Sequence, residues 1–333
     1  MMQLATILGG SGFVGRYVAR QLAQEGWRVR VACRRPNEAL FVRTYGVVGQ
    51  VEPVQANIRH EGSVREVVVG ADVVVNCVGI LAEAGANRFG AVQAEGAATA
   101  ARAAAAAGAR RFVQISAIGA DEGSPSDYAR TKAEGERRVR DAFPEAAILR
   151  PSIVFGPEDQ FFNRFASMAR FSPVLPVVGG STRFQPVYVD DVAEAAKLAA
   201  TGRAAPGVYE LGGPDVDTFR ELMQVMLGVI RRRRLVVNVP FPVARLMGRA
   251  FDGLGRITFG LAPQPLTLDQ VRNLARDNVV SGRHPGFEAL GVQPRSMEAI
   301  LPEYLWRFRP AGQYAVLREG AERLRGPRDE GRP

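Results

Sequence analysis

The stretch TILGGSGFVGRYVARQL, residues Thr6 to Leu22, runs from an apolar, strand-like segment through a glycine-rich loop into a helix-like segment. Gly9, Gly12 and Gly15 stand in it with GxxGxxG spacing. In a strand–loop–helix unit the first such glycine permits a tight turn, the second lets the backbone approach a pyrophosphate, and the third lets the helix pack closely. Free amides and the helix dipole then favour phosphates. The stretch predicts a dinucleotide-binding loop; the alternative is a glycine-rich turn without a ligand.

Short apolar runs alternate with helix-like segments from residue 3 to about residue 155. Continuous apolar strands separated by helices are typical of a parallel sheet that is covered on both faces. The sequence therefore predicts an α/β fold with a doubly wound parallel Rossmann sheet and a smaller C-terminal α/β lobe. We expect the core over 1–155, a lobe interleaved with it over 156–312, and a charged, disordered tail over 313–333. Within the lobe, QPVYVDDVAEAAKLAATG predicts a short strand, an Asp cap and a helix.

The length and composition of the chain are those of a globular protein with an excess of arginine. The chain has 333 residues, 47% of them hydrophobic, and a net charge of +9. This charge suits an anionic partner, but the RRRR run at 231–234 has no interleaved aromatic residues, so we expect no nucleic acid.

Cys33 and Cys77 lie in strand-like runs and the two histidines have no ligand-spaced companions, so neither a metal nor a disulfide is expected. The start lacks the features of a signal peptide, and no run of apolar residues is long enough for a transmembrane helix.

The end of the second predicted strand indicates which dinucleotide is bound. An NAD-selective site usually has an acidic residue there, whereas this chain has Arg34 and Arg35. Two guanidiniums suit a 2′-phosphate, so NADP(H) is favoured and NAD(H) is the alternative. The arginines could also be a solvated pair in an arginine-rich chain. Farther on, Asn57 and Ile58 are expected to flank the adenine.

Tyr128 stands four residues before Lys132 in SPSDYARTKAEGE, so the two side chains share one face of a predicted helix. Of the 43 lysines and arginines in the chain, only Lys132 and Lys197 are lysines. A lysine at 132 therefore indicates a requirement for a compact ammonium, which points to a bound nucleotide ribose. It does not by itself indicate turnover, and a chance pair on a surface helix is the alternative.

The YxxxK pair downstream of a glycine loop resembles the extended short-chain dehydrogenase/reductase superfamily. The resemblance implies that Tyr128 is a general acid or base, and that Lys132 bonds the nicotinamide ribose and lowers the pKa of the tyrosine. Lowering a tyrosine pKa from about 10 to about 7 needs about 4 kcal/mol of favourable electrostatics. The set of residues expected to form the nucleotide site is Gly9, Ser11, Gly12, Phe13, Val14, Gly15, Arg34, Arg35, Asn57, Ile58, Val78, Gly79, Ser116, Tyr128, Lys132, Pro151 and Ile153.

One departure from the superfamily concerns the group that polarises the substrate oxygen. Active members usually carry Ser or Thr shortly after the first serine that follows the fifth strand. Here Ser116 is followed by Ala117 and Ile118. Ser116 could bond the nicotinamide, and Ser124 or Ser126 could approach from the loop. Because an oxyanion donor can contribute about two to three orders of magnitude in rate, its absence argues against efficient catalysis.

Three further strings, VRDAFPEAAILRPSIVFGPEDQFFNRFASMARFSPVLPV, FQPVYVDDVAEA and VNVPFPVARLMGRAF, resemble the nucleotide-binding accessory subunit family of respiratory complex I (NADH:ubiquinone oxidoreductase). The likeness runs from about residue 3 to about residue 310. It implies a dehydrogenase fold that binds NADPH tightly without known turnover. It also implies peripheral attachment at the cytoplasmic side of the inner membrane near the quinone site, with core subunits of the peripheral arm and membrane junction as partners.

A basic amphipathic helix in the C-terminal lobe fits that placement. In PVARLMGRAFDGLGR an apolar stripe contains Val243, Leu246, Met247, Ala250, Phe251 and Leu254, while Arg245, Arg249 and Arg256 lie off it. Such a helix can lie on anionic lipid or dock on a hydrophobic subunit, and the alternative is that the stripe packs into the protein's own core.

Three hypotheses follow from the sequence. The first is a non-catalytic NADP(H)-binding accessory subunit of complex I. The second is an active reductase, epimerase or dehydratase that uses Tyr128 and Lys132. The third is a binder that senses the ratio of NADPH to NADP through differential affinity.

Overall fold

The computed structural model describes residues 2–257, 266–310 and 312–314. The tail predicted over 313–333 therefore lies outside the described residues, apart from its first two positions. None of the described helices is both long enough and apolar enough to span a bilayer.

The strands are β1 (Leu4–Leu8), β2 (Arg28–Cys33), β3 (Val51–Gln55), β4 (Val73–Asn76), β5 (Arg111–Ile115), β6 (Ala147–Pro151), β7 (Val154–Phe155), β8 (Val174–Val178), β9 (Arg183–Phe184), β10 (Val187–Tyr188), β11 (Gly207–Leu211), β12 (Asp217–Thr218) and β13 (Leu235–Val239). The α-helices are α1 (Phe13–Gln24), α2 (Glu61–Val68), α3 (Glu95–Ala106), α4 (Asp127–Ala142), α5 (Phe162–Phe171), α6 (Val189–Thr201), α7 (Phe219–Val229), α8 (Phe241–Ile257), α9 (Leu268–Asn273) and α10 (Met297–Leu305). Short 3-10 helices cover Pro36–Tyr45, Phe287–Leu290, Trp306–Phe308 and Gly312–Tyr314, and a π-helical turn over Gly90–Ala94 leads into α3.

The central sheet has seven strands in the order β3-β2-β1-β4-β5-β6-β11. Every pairing within it is parallel. The chain proceeds outward in both directions from the β1–β4 pair, so the strand order reverses there. In open α/β sheets, ligands bind outside the carboxyl ends of the strands at such a switch point. The expected crevice therefore lies between the loops that follow β1 and β4.

Alternate residues of each strand face two separate apolar layers. Ile7, Val31 and Val75 belong to the core that also contains residues of α1, α6 and α7. Leu8 and Val74 belong to the core formed with α2, α3 and α4. Helices cover both faces of the sheet, so the predicted doubly wound α/β fold is confirmed.

The C-terminal part of the chain returns to the central sheet. Strand β11 pairs with β6 from Gly207 opposite Ala147 to Leu211 opposite Pro151. Three two-stranded sheets, β10-β7, β12-β9 and β13-β8, lie outside the central one. A C-terminal lobe that interleaves with the core is consistent with this topology, while the boundary at residue 155 stays a prediction.

The predicted Asp cap of α6 is wrong. The N-cap residue is Tyr188, whose side chain makes no capping hydrogen bond, and Asp190 and Asp191 lie inside the first turn. Both carboxylates bind Arg295, and Asp190 also accepts from Arg20. Tertiary ion pairs therefore engage these acids, in addition to their favourable position near the positive end of the helix dipole.

Helix α8 turns most of its predicted apolar stripe outward. Val243, Leu246 and Met247 are 48%, 66% and 40% exposed, and Arg245 and Arg249 are exposed beside them. The helix packs inward through Ala244 and Gly248 instead. The expectation that the stripe packs into the protein's own core is therefore wrong for these three residues, whereas Phe251 is partly buried. The side chains of Leu254 and Arg256 lie outside the described part of the chain.

Candidate functional site

The glycine loop between β1 and α1 has the geometry that the sequence predicts. Gly9 has φ +76°, a conformation that L side chains rarely adopt, and a Cβ there would meet the backbone nitrogen of Val78 at 3.2 Å. A Cβ on Gly15 would lie 2.3 Å from the carbonyl oxygen of Gly9. The backbone of the loop is thus in direct contact with the backbone of the turn after β4 on one side and with that of the first turn of α1 on the other. A pyrophosphate can approach such a loop at the start of a helix.

A cleft of about 220 Å³ opens at the switch point of the sheet. Its lining residues are Leu8, Gly9, Ser11, Gly12, Ala32, Cys33, Arg34, Ala56, Asn57, Ile58, Arg59, Cys77, Val78, Gly79, Ile80, Asn87 and Val92. Eight predicted residues are brought together here: Gly9, Ser11, Gly12, Arg34, Asn57, Ile58, Val78 and Gly79. The glycine cradle, the apolar walls and the helix N-terminus together fit the adenosine half of a dinucleotide.

Arg34 and Arg35 occupy different surroundings. Arg34 lines the cleft. Arg35 points to Glu38, whose carboxylate lies 3.1 Å from its Nη1 atom. A second arginine in the lining is Arg59, whose Nη1 atom donates to the carbonyl of Ala86 at 3.2 Å. Sequence reasoning missed Arg59, although its position directly after Asn57 and Ile58 was a usable signal.

Tyr128 and Lys132 lie on one face of α4, and the lysine reaches the turn after β4. The Nζ atom of Lys132 is 5.9 Å from the centre of the Tyr128 ring. A Cβ added to Gly79 would lie 3.4 Å from the same Nζ atom. The same ammonium donates to the carbonyl of Ile115 at 3.3 Å. The pair therefore stands at the carboxyl ends of β4 and β5, beside the cleft, where the nicotinamide half of a dinucleotide would follow the adenosine half.

Burial shifts the pKa values of Lys132 and Tyr128. The shift at Tyr128 is opposite to the lowered pKa that proton transfer by this tyrosine requires. Burial lowers the pKa of Lys132 to about 8, partly offset by the negative charge of Glu136. It is also the main reason that the pKa of Tyr128 is raised to about 12, with a smaller contribution from the negative charge of Asp269. In the chain alone, Tyr128 is therefore a neutral phenol that does not ionise at neutral pH. The lowered tyrosine pKa implied by the superfamily resemblance is not found in this state.

Ser116 is held away from the cleft by a buried ion pair. Its hydroxyl donates to Glu136 at 2.5 Å. The Glu136 carboxylate also accepts from Arg150 at 2.9 and 2.6 Å. Tyr128, Lys132 and Glu136 recur at four-residue spacing, so the ion pair anchors the same helical face that carries the lysine. A contact of Ser116 with the nicotinamide stays a prediction, and the positions after it, Ala117 and Ile118, are apolar.

A carboxylate from the C-terminal lobe caps the start of α4. Asp269 accepts from the hydroxyl of Ser126 at 2.9 Å, from the backbone nitrogen of Asp127 at 2.7 Å and from that of Tyr128 at 3.2 Å. Gln270 of the same short helix donates to the carbonyl of Leu81 at 3.4 Å. Asp269 follows Ser126 by 143 residues, and sequence reasoning missed it because no local pattern links the two segments.

The remaining predicted residues surround the site without lining the cleft. Phe13 packs near Gly156, where an added Cβ would lie 3.5 Å from its ring. Val14 is partly buried against the core of α1. Pro151 ends β6, and its carbonyl accepts from the backbone nitrogen of Ile118 at 3.0 Å. The backbone nitrogen of Ile153 donates to Asn278 at 3.0 Å, which joins this turn to the C-terminal lobe.

Residues 5–212 match the NAD dependent epimerase/dehydratase family. Over 93% of its length the chain is 37% identical to "NADH dehydrogenase (ubiquinone) 1 alpha subcomplex subunit 9, mitochondrial" of Arabidopsis thaliana, and it covers 79% of that protein. It is 35% identical to "Ceramide reductase" of Caulobacter vibrioides, again over 93% of this chain and over 95% of that protein.

Among solved structures, a dTDP-glucose 4,6-dehydratase from Streptomyces venezuelae with NAD and TYD bound superposes with a TM-score of 0.68. The alignment covers 95% of this chain and 100% of the dehydratase chain, and the two sequences are 21% identical. At this identity the likeness establishes the fold alone, and it agrees with the seven-stranded parallel sheet described above.

Proposed function

Because this chain belongs to the NAD dependent epimerase/dehydratase family, and within it to the accessory subunit family of respiratory complex I, we propose that it is an NADP(H)-binding subunit of NADH:ubiquinone oxidoreductase. Its relative in Arabidopsis thaliana carries the name of such a subunit. In this role the nucleotide stabilises the folded subunit by mass action and carries out no reaction. The partners are core subunits of the peripheral arm and membrane junction, near the quinone site.

The observation that carries the non-catalytic role is the capping of α4 by Asp269. Three donors at the start of the helix bind this carboxylate, directly beside the side chain that an enzyme of this fold would use for proton transfer. Burial and the negative charge of Asp269 together raise the pKa of Tyr128 to about 12. A phenol in this state holds its proton at neutral pH, and Ala117 and Ile118 offer no hydroxyl to polarise a substrate carbonyl.

The choice of NADP(H) rests on the guanidiniums in the cleft. Arg34 and Arg59 both line it. A 2′-phosphate can accept charge-assisted hydrogen bonds from such groups, whereas the ribose of NAD usually meets an acidic residue at the end of the second strand. Arg35, which pairs with Glu38, contributes less.

Attachment near the membrane rests on α8. The exposed side chains of Arg245 and Arg249 lie beside its exposed stripe of Val243, Leu246 and Met247. A helix with this pattern can bury its apolar side chains at the headgroup boundary while its arginines meet anionic lipid. This arrangement fits a peripheral subunit on the cytoplasmic side of the inner membrane.

Three measurements test the proposal together. Complexome profiling of gently solubilised native membranes should give comigration with NADH:quinone oxidoreductase at constant stoichiometry. The denatured subunit should release bound NADP(H), and the isolated chain should not consume added NADPH. Steady consumption of NADPH by the isolated chain, or a soluble peak alone, would contradict the accessory role.

A second candidate is an active reductase, favoured by the intact Tyr128–Lys132 pair and by the likeness to "Ceramide reductase" of Caulobacter vibrioides. In an enzyme, binding of the cofactor and substrate would have to lower the pKa of Tyr128 from about 12 to about 7, which needs about 7 kcal/mol of favourable electrostatics or the displacement of Asp269. Ceramide is therefore the first substrate to assay with the isolated chain. Tyr128→Phe would abolish such turnover, whereas in the accessory subunit it leaves NADPH retention nearly unchanged.

A further inference from the structure

The two-stranded sheet β8-β13 leaves one of its faces open to solvent. Leu235 pairs with Val174, and Val237 pairs with Pro176. Side chains two apart on a strand share a face, so these four lie on the same side of the sheet. All four are exposed, with Leu235 at 64%. The intervening Leu175, by contrast, is fully buried.

Phe171 extends this open face at the end of α5. It is 83% exposed, which is unusual for a phenylalanine on a folded domain. The hydroxyl of Ser172 donates to the carbonyl of Val174 at 2.6 Å, and the backbone nitrogen of Val174 donates back to it at 3.2 Å. This turn keeps Phe171 next to the first residue of β8. Phe171, Val174, Pro176, Leu235 and Val237 will be called the β8-β13 patch.

A group of arginines lies at the border of the patch. Burial lowers the pKa of Arg232, and the nearby positive charges of Arg234 and Arg170 lower it further. Arg232 donates from Nε to the carbonyl of Phe308 at 2.9 Å, and Arg234 donates from Nε to the carbonyl of Ala169 at 2.8 Å. These guanidiniums are therefore fixed in direction. A guanidinium held through Nε can still present its Nη groups to a carboxylate.

The backbone of the same run adopts a costly conformation. Arg231 has φ +54°, and no other non-glycine residue of the described chain has a positive φ. It stands just past the end of α7, where Gly or Asn is usual. An L side chain in this conformation costs about 1 kcal/mol. The left-handed turn at Arg231 ends α7 and leads into the arginine run that borders the patch.

We infer that the β8-β13 patch docks on an acidic, partly apolar surface of a neighbouring protein subunit, an inference that rests on the proposed role in complex I. The patch combines an aromatic anchor, aliphatic side chains and arginines, which is the composition of the best-bound parts of protein interfaces. Mutual repulsion among Arg170, Arg232 and Arg234 is relieved by carboxylates of a partner. Fixed guanidiniums favour the defined geometry of protein carboxylates over mobile lipid headgroups. This surface is separate in sequence from the lipid-facing stripe of α8.

Two variants test the patch in the whole chain. Phe171→Ser with Leu235→Ser removes the apolar centre, and Arg170→Glu reverses an exposed charge of the arginine group at its border. All three positions are exposed, so folding and nucleotide retention should not change. Matched controls are Val48→Ser, an exposed valine elsewhere, and Arg43→Glu. Each variant replaces the native gene, and membranes are profiled as for the wild type.

The expected result is comigration of the wild type and both controls with the oxidoreductase, and a drop of about 30-fold in the comigrating fraction for the patch variants, as for loss of an interface hot spot. Patch variants that comigrate like the wild type would overturn the inference and leave the proposed function standing. A wild type that does not comigrate would overturn the proposed function itself. If the patch variants lose binding only to vesicles of phosphatidylcholine and phosphatidylglycerol, the occupant is a bilayer and the inference is wrong.

Discussion

Asp269 accepts a hydrogen bond from Ser126 at 2.9 Å, across 143 residues of sequence. Ser126 is the N-cap of α4 and itself accepts from the backbone nitrogen of Ala129. The C-terminal lobe thereby holds the end of the helix on which Tyr128 and Lys132 stand. The backbone nitrogen of Leu268 donates to Asp252 of α8 at 3.1 Å, so α8 is linked through α9 to α4. A contact that displaces α8 and α9 therefore also acts on α4.

Replacing Asp269 by Asn keeps the shape of the side chain but removes the charge that the helix terminus favours. We expect a loss of about 1 to 2 kcal/mol in the free energy of unfolding, the usual cost of a lost cap, measured by urea denaturation. NADPH should bind a few-fold more weakly, because α4 is no longer fixed. Asp215→Asn, on an exposed turn, serves as the control and should change neither quantity. Unchanged stability in Asp269→Asn would show that the cap is not important.

The two lysines of the chain form a natural pair of variants. Lys132→Met should abolish NADPH retention through gel filtration, because the ammonium that reaches Gly79 and Ile115 is lost. Lys197→Met removes an equal charge from α6, where the lysine pairs with Glu194 and Glu25. That variant should retain the nucleotide. Retention by both variants would contradict the role of Lys132 as a nucleotide clamp.

Without nucleotide, Lys132 should make the chain less stable. Its folded pKa of about 8 lies below the ordinary value of 10.5, so the unfolded chain binds the proton more tightly. The cost is about 3 kcal/mol below pH 8 and is relieved as the pH rises from 8 to 10.5. Lys132→Met should therefore raise the unfolding free energy of the nucleotide-free chain at pH 7, and the gain should shrink at pH 9.5. A gain that does not depend on pH would point to packing instead.

Arg34 and Arg35 should differ in their effect on cofactor choice. Arg34→Ser should weaken NADPH binding by about 10- to 100-fold, the value of a charge-assisted hydrogen bond to phosphate, and leave NADH binding nearly unchanged. Arg35→Ser should have a smaller effect, because its guanidinium pairs with Glu38. Fluorescence titration with both nucleotides measures the ratio. Equal losses for NADPH and NADH in Arg34→Ser would mean that it does not bind a 2′-phosphate.

A single methyl group at Gly15 should disrupt the nucleotide loop. The added Cβ would lie 2.3 Å from the oxygen of Gly9 and 2.7 Å from the Cα of Gly10, so backbone must move. We expect Gly15→Ala to lose about 1 to 3 kcal/mol of stability, as overpacked sites do, together with nucleotide binding. Gly62→Ala in α2, where nothing lies within 4 Å, should be neutral or stabilising by up to about 1 kcal/mol. Thermal melts with and without NADPH compare the two.

Local patterns were sufficient for the sheet and for the backbone geometry of the glycine loop. The strand–glycine–helix stretch around Gly12 sets both the fold and the cleft, because turn geometry and helix packing depend on neighbours in sequence. The family resemblance, read from longer strings, is confirmed by the relatives. The spacing of Tyr128 and Lys132 likewise predicts their shared face correctly.

Contacts between distant segments could not be predicted in this way. Asp269 reaches Ser126, and the hydroxyl of Ser116 turns to Glu136, only because the tertiary fold brings them together. The sequence left the direction of the α8 stripe open for a related reason. A hydrophobic stripe predicts which side chains lie together, but not whether they face the protein or something outside it.

The position of β11 beside β6 has a consequence for how the protein is made. On the ribosome, β6 emerges well before its outer neighbour, which begins at Gly207. At synthesis rates of about 5 to 20 residues per second, its edge stays unpaired for roughly 3 to 10 seconds. During that time an apolar, buried strand offers free amides and carbonyls to other chains. A nascent chain of this kind is a natural client of chaperones, and early termination before residue 207 would leave a product prone to aggregate.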